Sequence, residues 1–251
     1  MADADDSSAF GYITQNNTQY GMVIGKFNKY SEKDKLFAIG NGTSNTESTQ
    51  KNIFTVDTAG NVVAAGTVSS ATGADYAEYF EWKDGNPDNE DRVGYIVTLD
   101  GDKIVKANSG DDILGICSGT ALILGDSAEL YWNKKFVTDD FGRLIYKEQQ
   151  FQCEPVLDPD GNVIKEAWVE TSYAPLVSSN YDPSKPYIKR ENRPEWQIVG
   201  MMGKLYVRDD GSCVVNGYAD VVNGIATKAT GKTNMRVMER INDSIVRVLL
   251  K

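Results

Sequence analysis

The chain has 251 residues, of which 41% are hydrophobic, and a formal net charge of −10. This length supports one large or two modest domains, and the acidic charge disfavours a nucleic acid partner because the phosphates would be repelled. Histidine is absent and no apolar run approaches the ~20 residues that span a bilayer, so we expect no conventional hydrolase, no metal site and no membrane span.

The first 74 residues are richer in Asn, Thr, Ser and Gly than the rest of the chain. Three short apolar runs in this region predict strands at 20–25, 36–40 and 53–57, joined by polar loops. No exact internal repeat is visible. A β segment of this size buries little apolar surface as a monomer and would gain stability by wrapping with copies of itself.

An acidic and aromatic segment separates this region from the longer remainder of the chain. It reads Gly73-Ala74-Asp75-Tyr76-Ala77-Glu78-Tyr79-Phe80-Glu81-Trp82. Asp75 as a cap and Glu78 at the capping-box position make 75–82 the best candidate for a short helical turn. Asp75, Glu78 and Glu81 could perform acid–base chemistry on a neighbouring peptide bond. Spacing alone favours the simpler interpretation, a capped turn with solvated carboxylates.

From residue 83 onward, short runs rich in Val, Ile, Tyr and Phe alternate with turns that contain Asp and Gly. The turns lie at 100–102, 139–142, 158–162 and 209–211. This alternation predicts a mainly β fold. The turn at 158–162 lacks the spacing and terminal glutamate of an EF-hand, so we interpret it as a simple turn. Cys117 lies in an apolar run and is predicted to be a buried thiol.

Two features near the C-terminus are ambiguous. Residues 235–242 are compatible with a helix, but the turn at Asn242-Asp243 before an apolar run favours a last strand. The segment 229–234 contains Gly-Lys-Thr, yet a Walker A loop also needs a glycine at position 226, which is alanine. A β-turn with a surface lysine is therefore favoured, and Lys232 and Thr233 are the residues that would contact a nucleotide phosphate.

The segment 73–82 resembles the junction of the self-cleaving intramolecular chaperone domains, of the peptidase G2 type, in phage neck-appendage and tail-spike proteins. Four further stretches resemble core strands of the same domain; they are 93–99, 113–119, 196–203 and 247–251. Residues 52–63 resemble the β-stalk of phage fibre proteins. The resemblance implies that 1–74 is the end of an appendage stalk and that 75–251 is the chaperone domain.

This resemblance implies a trimeric, β-rich fold and an assembly function. The chaperone domain drives homotrimer formation of the upstream stalk, and the chain then cuts itself at the 73–75 junction. Assembly takes place in the host cytoplasm; the mature upstream part enters the virion and the chaperone is shed. Cleavage requires no cofactor, whereas ATP is implied to assist release in part of the family, with Lys232 and Thr233 as candidate contacts.

The resemblance also implies the catalytic residues at the junction. A serine normally precedes the Asp-Tyr-Ala-Glu motif, but here Ala74 stands at that position and has no hydroxyl nucleophile. The chain should therefore be cleavage-deficient. Because histidine is absent, Asp75 or Glu78 must supply the base, with Glu81 close by. Three chains meeting on one axis would crowd these carboxylates and raise their pKa values.

Two other functions remain open from the sequence. A non-cleaving trimeric fibre tip that binds a receptor glycan is one alternative, because Tyr131, Trp132, Phe136 and Tyr146 alternate in strand-like runs and could stack on a sugar. Core or interface packing is the favoured role of these aromatic residues. An independent hydrolase is the least favoured alternative, because the usual nucleophile–histidine pairs are missing.

Overall fold

Strands form nearly all the regular structure in the residues that the computed structural model describes, which are 6–30, 34–128 and 134–251. In these residues there are two short 3₁₀ helices, Glu47–Thr49 and Arg190–Asn192, and no α-helix. The prediction of a mainly β fold is confirmed. Accordingly, none of the described segments is a helix with the length and apolar character needed to cross a bilayer.

The chain divides into two compact units, Met1–Ala71 and Thr72–Lys251. This division lies in residues 67–73, a segment of small and polar residues that we call the linker and that leads into the acidic segment. The boundary predicted between residues 74 and 75 marks a cleavage site and not a division between compact units, and it stays a prediction.

The first unit contains one five-stranded sheet. Its strands are β1 (Ser8–Tyr12), β2 (Met22–Lys26), β3 (Lys35–Asn41), β4 (Asn52–Asp57) and β5 (Val62–Ala64). Strands β1, β2 and β3 are parallel, whereas β4 and β5 return antiparallel. The three strands predicted from the sequence correspond to β2, β3 and β4.

The parallel strands repeat with register offsets of 14 and 15 residues, so Gly11, Gly25 and Gly40 stack in line. Gly11 and Gly25 have φ of 129° and 102°. A Cβ at Gly25 would collide with the carbonyl oxygen of Gly40. We call the stacked parallel strands β1, β2 and β3 the coil; glycine is required where its successive turns approach each other. This structural repeat was not visible as an exact sequence repeat because only the glycine and its apolar neighbours recur.

The second unit is built on an eight-stranded sheet. Its strands are β6 (Asp75–Glu81), β7 (Ile96–Asp100), β8 (Lys103–Lys106), β9 (Gly115–Cys117), β10 (Ala121–Gly125), β15 (Trp196–Arg208), β18 (Met235–Asn242) and β19 (Ile245–Leu250). The order is β10-β6-β15-β9-β7-β8, and the 13-residue β15 also pairs with β19, which pairs with β18. The long β15 thus connects most of the sheet.

Two expectations about helices are wrong. Residues 75–82 do not form a capped turn, because Asp75–Glu81 is a strand bonded to β10 on one side and β15 on the other. Local capping signals are overridden when neighbouring strands pair with both edges of a segment. The helical alternative at 235–242 is also wrong, and the favoured turn into a last strand is confirmed by β18 and β19.

Two hydrophobic clusters lie on the large sheet. One includes Ile96, Ile116, Leu205 and Val248, and the other surrounds Trp82 and includes Cys117. Cys117 is fully buried, as predicted, and burial raises the pKa of its thiol far above the ordinary value. The smaller cluster lies directly beyond the C-terminal end of β6, which anchors that strand to the core.

A long two-stranded hairpin is inserted between β10 and β15. It consists of β11 (Tyr146–Cys153) and β14 (Trp168–Pro175), with β12 (Val156–Leu157) and β13 (Val163–Lys165) at its tip. We call residues 146–175 the arm. Most of its side chains are exposed on both faces. A further small hairpin, β16 (Ala219–Val222) and β17 (Ile225–Lys228), packs against the larger core cluster.

Candidate cleavage junction

Strand β6 begins at the junction and is held on both edges. Asp75, its first residue, lies opposite Ala121 of the parallel strand β10 and Gly203 of the antiparallel strand β15. Side chains of a strand alternate between the two faces of a sheet. Asp75, Ala77 and Tyr79 are accordingly buried on one face.

The Asp75 carboxyl group occupies a niche that a glycine keeps open. Asp75 is only 2% exposed, and a Cβ on Gly200 would lie 2.6 Å from its Oδ2. Neither carboxylate oxygen accepts a hydrogen bond of ordinary geometry within the described residues. Burial raises the pKa of this carboxyl group above its usual value, and the Ser118 hydroxyl offsets part of that rise.

Glu78 lies on the opposite face of β6 from Asp75. It is half-buried, and the Tyr76 hydroxyl donates a short hydrogen bond to its Oε1. That bond raises the pKa of Tyr76. Glu78 also packs beside Gly125 of β10, where an added Cβ would lie 3.0 Å from its Cγ. Its carboxylate therefore belongs to a separate environment from that of Asp75.

Glu81 is engaged in an ion pair at the end of β6. Lys103 Nζ on β8 donates to its Oε1 at 2.7 Å, which raises the pKa of this lysine. The residue also borders a cleft of about 420 Å³ that is lined by Arg190, Arg193 and Trp196. The structure thus gives Glu81 a salt-bridge partner away from position 74.

The backbone at Ala74 is pressed against β15. The Lys204 amide donates to the Ala74 carbonyl at 3.4 Å, and Gly203 has φ of 124° at the point where a Cβ would collide with that carbonyl oxygen. Ala74 itself is half-buried and carries only a methyl group. The main chain of the junction is therefore fixed, while the side chain offers no nucleophile.

The three carboxylates do not form one cluster in a single chain. Residues three apart in a strand are about 10 Å apart along its axis and point to opposite faces. The helical turn expected at 75–82 would bring Glu78 back toward position 74, but the chain is extended there. Asp75 alone combines burial, a raised pKa and adjacency to position 74, which are the properties of a general base at this bond.

Lys232 and Thr233 lie in the loop between β17 and β18, without the strand–loop–helix context of a Walker A site. The Thr233 hydroxyl donates to the Ala219 carbonyl at 2.7 Å and accepts from the Met235 amide at 3.2 Å. Both bonds stabilise the loop itself. Lys232 is exposed. The role of these two residues in nucleotide binding stays a prediction.

The aromatic residues of the glycan alternative fall in different places. Tyr131 and Trp132 lie outside the described residues. Tyr146 stacks on Tyr173 of the arm, with ring centroids 5.7 Å apart and an interplanar angle of 21°. Lys135 Nζ lies 5.3 Å from the ring centroid of Phe136.

Sequence reasoning missed the two residues that build the environment of Asp75, Gly200 and Ser118. They lie 125 and 43 positions further along the chain, so no local spacing connects them to the junction. Only the strand order, which places β15 beside β6 and carries the chain from β9 across to β10, brings them to Asp75.

Several known proteins that resemble this chain belong to phages or are phage-related. The Peptidase_G2 family, described as the IMC autoproteolytic cleavage domain, matches residues 20–243. The chain is 34% identical over 198 residues to the pre-neck appendage protein of Bacillus phage B103, covering 76% of this chain and 21% of that protein. It is 38% identical over 170 residues to the pre-neck appendage protein of Bacillus phage phi29, covering 67% and 18%. It is 37% identical over 172 residues to the putative phage-related protein YobO of Bacillus subtilis (strain 168), covering 68% and 19%.

Solved structures show the same relationship. The crystal structure of the pre-mature bacteriophage phi29 gene product 12 matches with a TM-score of 0.73 and 26% identity, covering 100% of this chain and 30% of that one. A C-terminal fragment of that gene product matches with a TM-score of 0.54 and 32% identity, covering 70% of this chain and 100% of the fragment. The chain spans about a fifth of the length of the curated relatives it matches. The resemblance inferred from the sequence is confirmed, and the chain belongs to the Peptidase_G2 family of autoproteolytic cleavage domains found in phage pre-neck appendage proteins.

Proposed function

We propose that this chain is the C-terminal intramolecular chaperone of a phage appendage, which drives homotrimer assembly and is removed by autoproteolysis at the 73–75 junction. In this proposal residues 75–251 are the chaperone and residues 1–74 are the end of the stalk. Ala74 makes this particular chain cleavage-deficient, because the position that carries the nucleophile lacks a hydroxyl group.

The observation that carries the proposal is the environment of Asp75. A buried carboxyl group without a hydrogen bond of ordinary geometry is costly to keep, so its presence beside the junction needs a functional reason. A serine at position 74 would need a neighbouring base with a pKa closer to neutrality than that of a free carboxylate. Asp75, whose pKa is raised by burial, fits that requirement.

Exposed apolar residues in each unit support assembly into trimers. In the first unit Phe10, Tyr12 and Tyr20 are 59%, 65% and 68% exposed. On the arm, Tyr173 is 71% exposed. Large aromatic side chains at such exposure favour burial against a partner, and a two-stranded ribbon such as the arm is only marginally stable alone. Further copies of the same chain are the proposed partner.

The proposed setting follows from the relatives. Appendage assembly would take place in the host cytoplasm, the mature upstream part would enter the virion, and the chaperone would be shed. Cleavage itself would use only side chains and water. ATP, if it acts, would assist release through Lys232 and Thr233, and binding of a fluorescent ATP analogue that is lost in Lys232→Ala would support that role.

The test of the proposal combines oligomer size with self-cleavage. Light scattering should give the mass of three chains, and a stable monomer at micromolar concentration would contradict the trimer. On denaturing gels the unmodified chain should stay intact, whereas Ala74→Ser should yield two fragments. Ala71→Ser places a hydroxyl in the exposed linker and should remain uncut. Adding Asp75→Asn to Ala74→Ser should stop cutting and leave the trimer intact.

Glu78→Gln in the Ala74→Ser chain tests the second predicted base. Because Glu78 and Asp75 lie on opposite faces of β6, Glu78 can contribute only through Tyr76 or through a neighbouring chain. Loss of cutting in this variant would assign it a role in the assembled site. Undiminished cutting in both carboxylate variants would overturn the proposed base chemistry.

A further inference from the structure

A second buried polar side chain, Ser118, lies beside the Asp75 carboxyl group. Ser118 is 5% exposed and follows directly after β9. Its amide donates to the Ile198 carbonyl of β15 at 2.9 Å, and three residues later Ala121 pairs with Asp75. Since β15 and β6 lie between β9 and β10 in the sheet, the connection 118–120 crosses over these two strands at the position of Asp75.

The Ser118 hydroxyl has an unused hydrogen. A hydroxyl group can donate one hydrogen bond and accept two. Ser118 Oγ accepts from the Thr120 amide at 3.0 Å, and within the described part of the chain no donation by this hydroxyl with ordinary geometry is present. Both oxygens of the Asp75 carboxylate lack a donor in the same sense. Ser118 interacts with the Asp75 carboxyl group closely enough to lower its pKa. Pairing this buried donor with this buried acceptor would remove a cost that each otherwise carries.

The remaining surroundings of the carboxyl group are uncharged. On β15, the atoms around the niche belong to Gly200 and Leu205. On β10, the residue opposite is Ala121. No charged side chain of the described residues contributes to the pKa of Asp75, and Ser118 is the only side chain there that lowers it. The backbone amides of Ala74 and Asp75 also lower this pKa, so Ser118 is the side chain through which the ionisation of Asp75 can be altered by substitution.

We propose that Ser118 is a positioning residue for the cleavage reaction: its hydroxyl donates to the Asp75 carboxylate, fixes its orientation at the junction and favours its ionised form. This inference rests on the proposed function of Asp75 as the base. Ser118 interacts with the Asp75 side chain, so in this proposal it acts through the carboxylate. Such a bond can be long in the resting structure and tighten when the site is completed.

The first test needs no cleavage and uses the chain with Ala74. The melting temperatures of the unmodified chain and of Asp75→Asn are measured as a function of pH. The difference between the two temperatures changes over the pH range in which Asp75 titrates in the folded chain. The same comparison is then made with Ser118→Ala added to both chains. Both chains then lack the hydrogen bond between Ser118 and Thr120, so its effect on stability cancels in the difference. We expect the change to move to higher pH without the hydroxyl. A change at the same pH in both pairs would overturn the proposal.

The second test measures cutting in the Ala74→Ser chain. Adding Ser118→Ala should move the acidic limb of the pH–rate profile to higher pH by about one unit. Cutting on that limb should slow about tenfold and recover in alkaline buffer. Slowing by the same factor at every pH would assign Ser118 a merely structural role. If Ser118→Ala folds poorly, Ser118→Cys is the alternative variant, because it keeps the side-chain volume but donates a hydrogen bond only weakly. It should shift the acidic limb in the same direction.

The two tests fail in different ways. If Ala74→Ser never cuts itself, the proposed autoproteolysis is overturned, while the melting comparison still decides whether Ser118 controls the ionisation of Asp75. If Ala74→Ser cuts and neither pH dependence moves with Ser118→Ala, cleavage stands and the role of Ser118 is overturned.

Discussion

Asp75 is a residue that folding places in an unfavourable environment. Its carboxylate leaves water for a niche between β15 and the connection 118–120, where burial raises its pKa. A group with a raised folded-state pKa binds its proton more tightly in the folded chain than in the unfolded one. The folded state is therefore favoured below the unfolded pKa, and that contribution is lost as the pH rises through the folded pKa.

The first prediction follows from this sign. Asp75→Asn should raise the melting temperature near neutral pH by about 3 °C, the shift that about 1 kcal/mol produces in a domain of this size. The gain should shrink as the pH falls toward the ordinary carboxyl range, because Asp75 is then protonated. Calorimetry between about pH 4 and pH 8 measures the melting temperatures of the unmodified chain and of Asp75→Asn, and so the gain at each pH.

Asp88→Asn is the matched control, because Asp88 is exposed in the loop after β6. It should change the melting temperature little at any pH. A stability loss for Asp75→Asn at neutral pH would mean that the buried carboxylate forms a favourable interaction in the folded chain, and it would weaken the argument for a functional base.

Single elements show which signals in the sequence were sufficient. Strands β2, β3 and β4 were predicted because Val, Ile and Phe runs carry the alternation of a sheet. Strand β6 was predicted as a helical turn because Asp75 and Glu78 imitate a capping box, and only pairing with β10 and β15 overrides that signal. Long-range pairing also places Ser118 and Gly200 at the junction, so the environment of Asp75 could not be read from the sequence.

The second prediction concerns the glycine stack of the first unit. Gly25→Ala should destabilise the coil by about 3 kcal/mol, because alanine is strained at φ of 102° and its Cβ would collide with the Gly40 carbonyl. Gly66→Ala is the control, since no atom lies within 4 Å of an added Cβ there. Limited proteolysis should cut the first unit of Gly25→Ala faster. Equal resistance of the two variants would contradict the close approach of the coil turns.

The third prediction concerns the arm. The Leu176 amide donates to the Ile145 carbonyl at 2.8 Å, so the two ends of the arm lie together. Replacing 146–175 with an Asn-Gly turn should leave the eight-stranded sheet folded but weaken the trimer, because exposed apolar residues such as Tyr173 are removed. Sedimentation at decreasing concentration measures the weakening.

Shortening only the tip, by replacing 156–165 with the same turn, is the control for the arm. It keeps β11 and β14 and should have a smaller effect on assembly. If the chain in which 146–175 is replaced stays trimeric at the same dilution as the full chain, the arm is excluded from the interface. Loss of the sheet's far-UV signal in the arm variant would instead show that the arm is needed for folding.

At the scale of the whole molecule, the chain contains two compact β units, and it spans about a fifth of the length of the pre-neck appendage proteins it matches. Composition alone disfavours several functions, since an acidic chain without histidine is poorly suited to nucleic acid binding and to histidine-dependent hydrolysis. The family was predicted from the ten residues of the junction and is confirmed. The proposed trimer could not be derived from one chain, because its contacts would lie between copies.

The central claim is that cleavage at the junction is coupled to assembly. The most direct measurement is intact-mass spectrometry of Ala74→Ser over time at several protein concentrations. The account predicts two fragments whose masses place the cut within 73–75, formed in the trimer fraction and slowed when trimers dissociate on dilution. The unmodified chain, with Ala74, should keep its full mass throughout. An Ala74→Ser chain that keeps its full mass as a stable trimer, or that is cut away from the junction, would contradict the account.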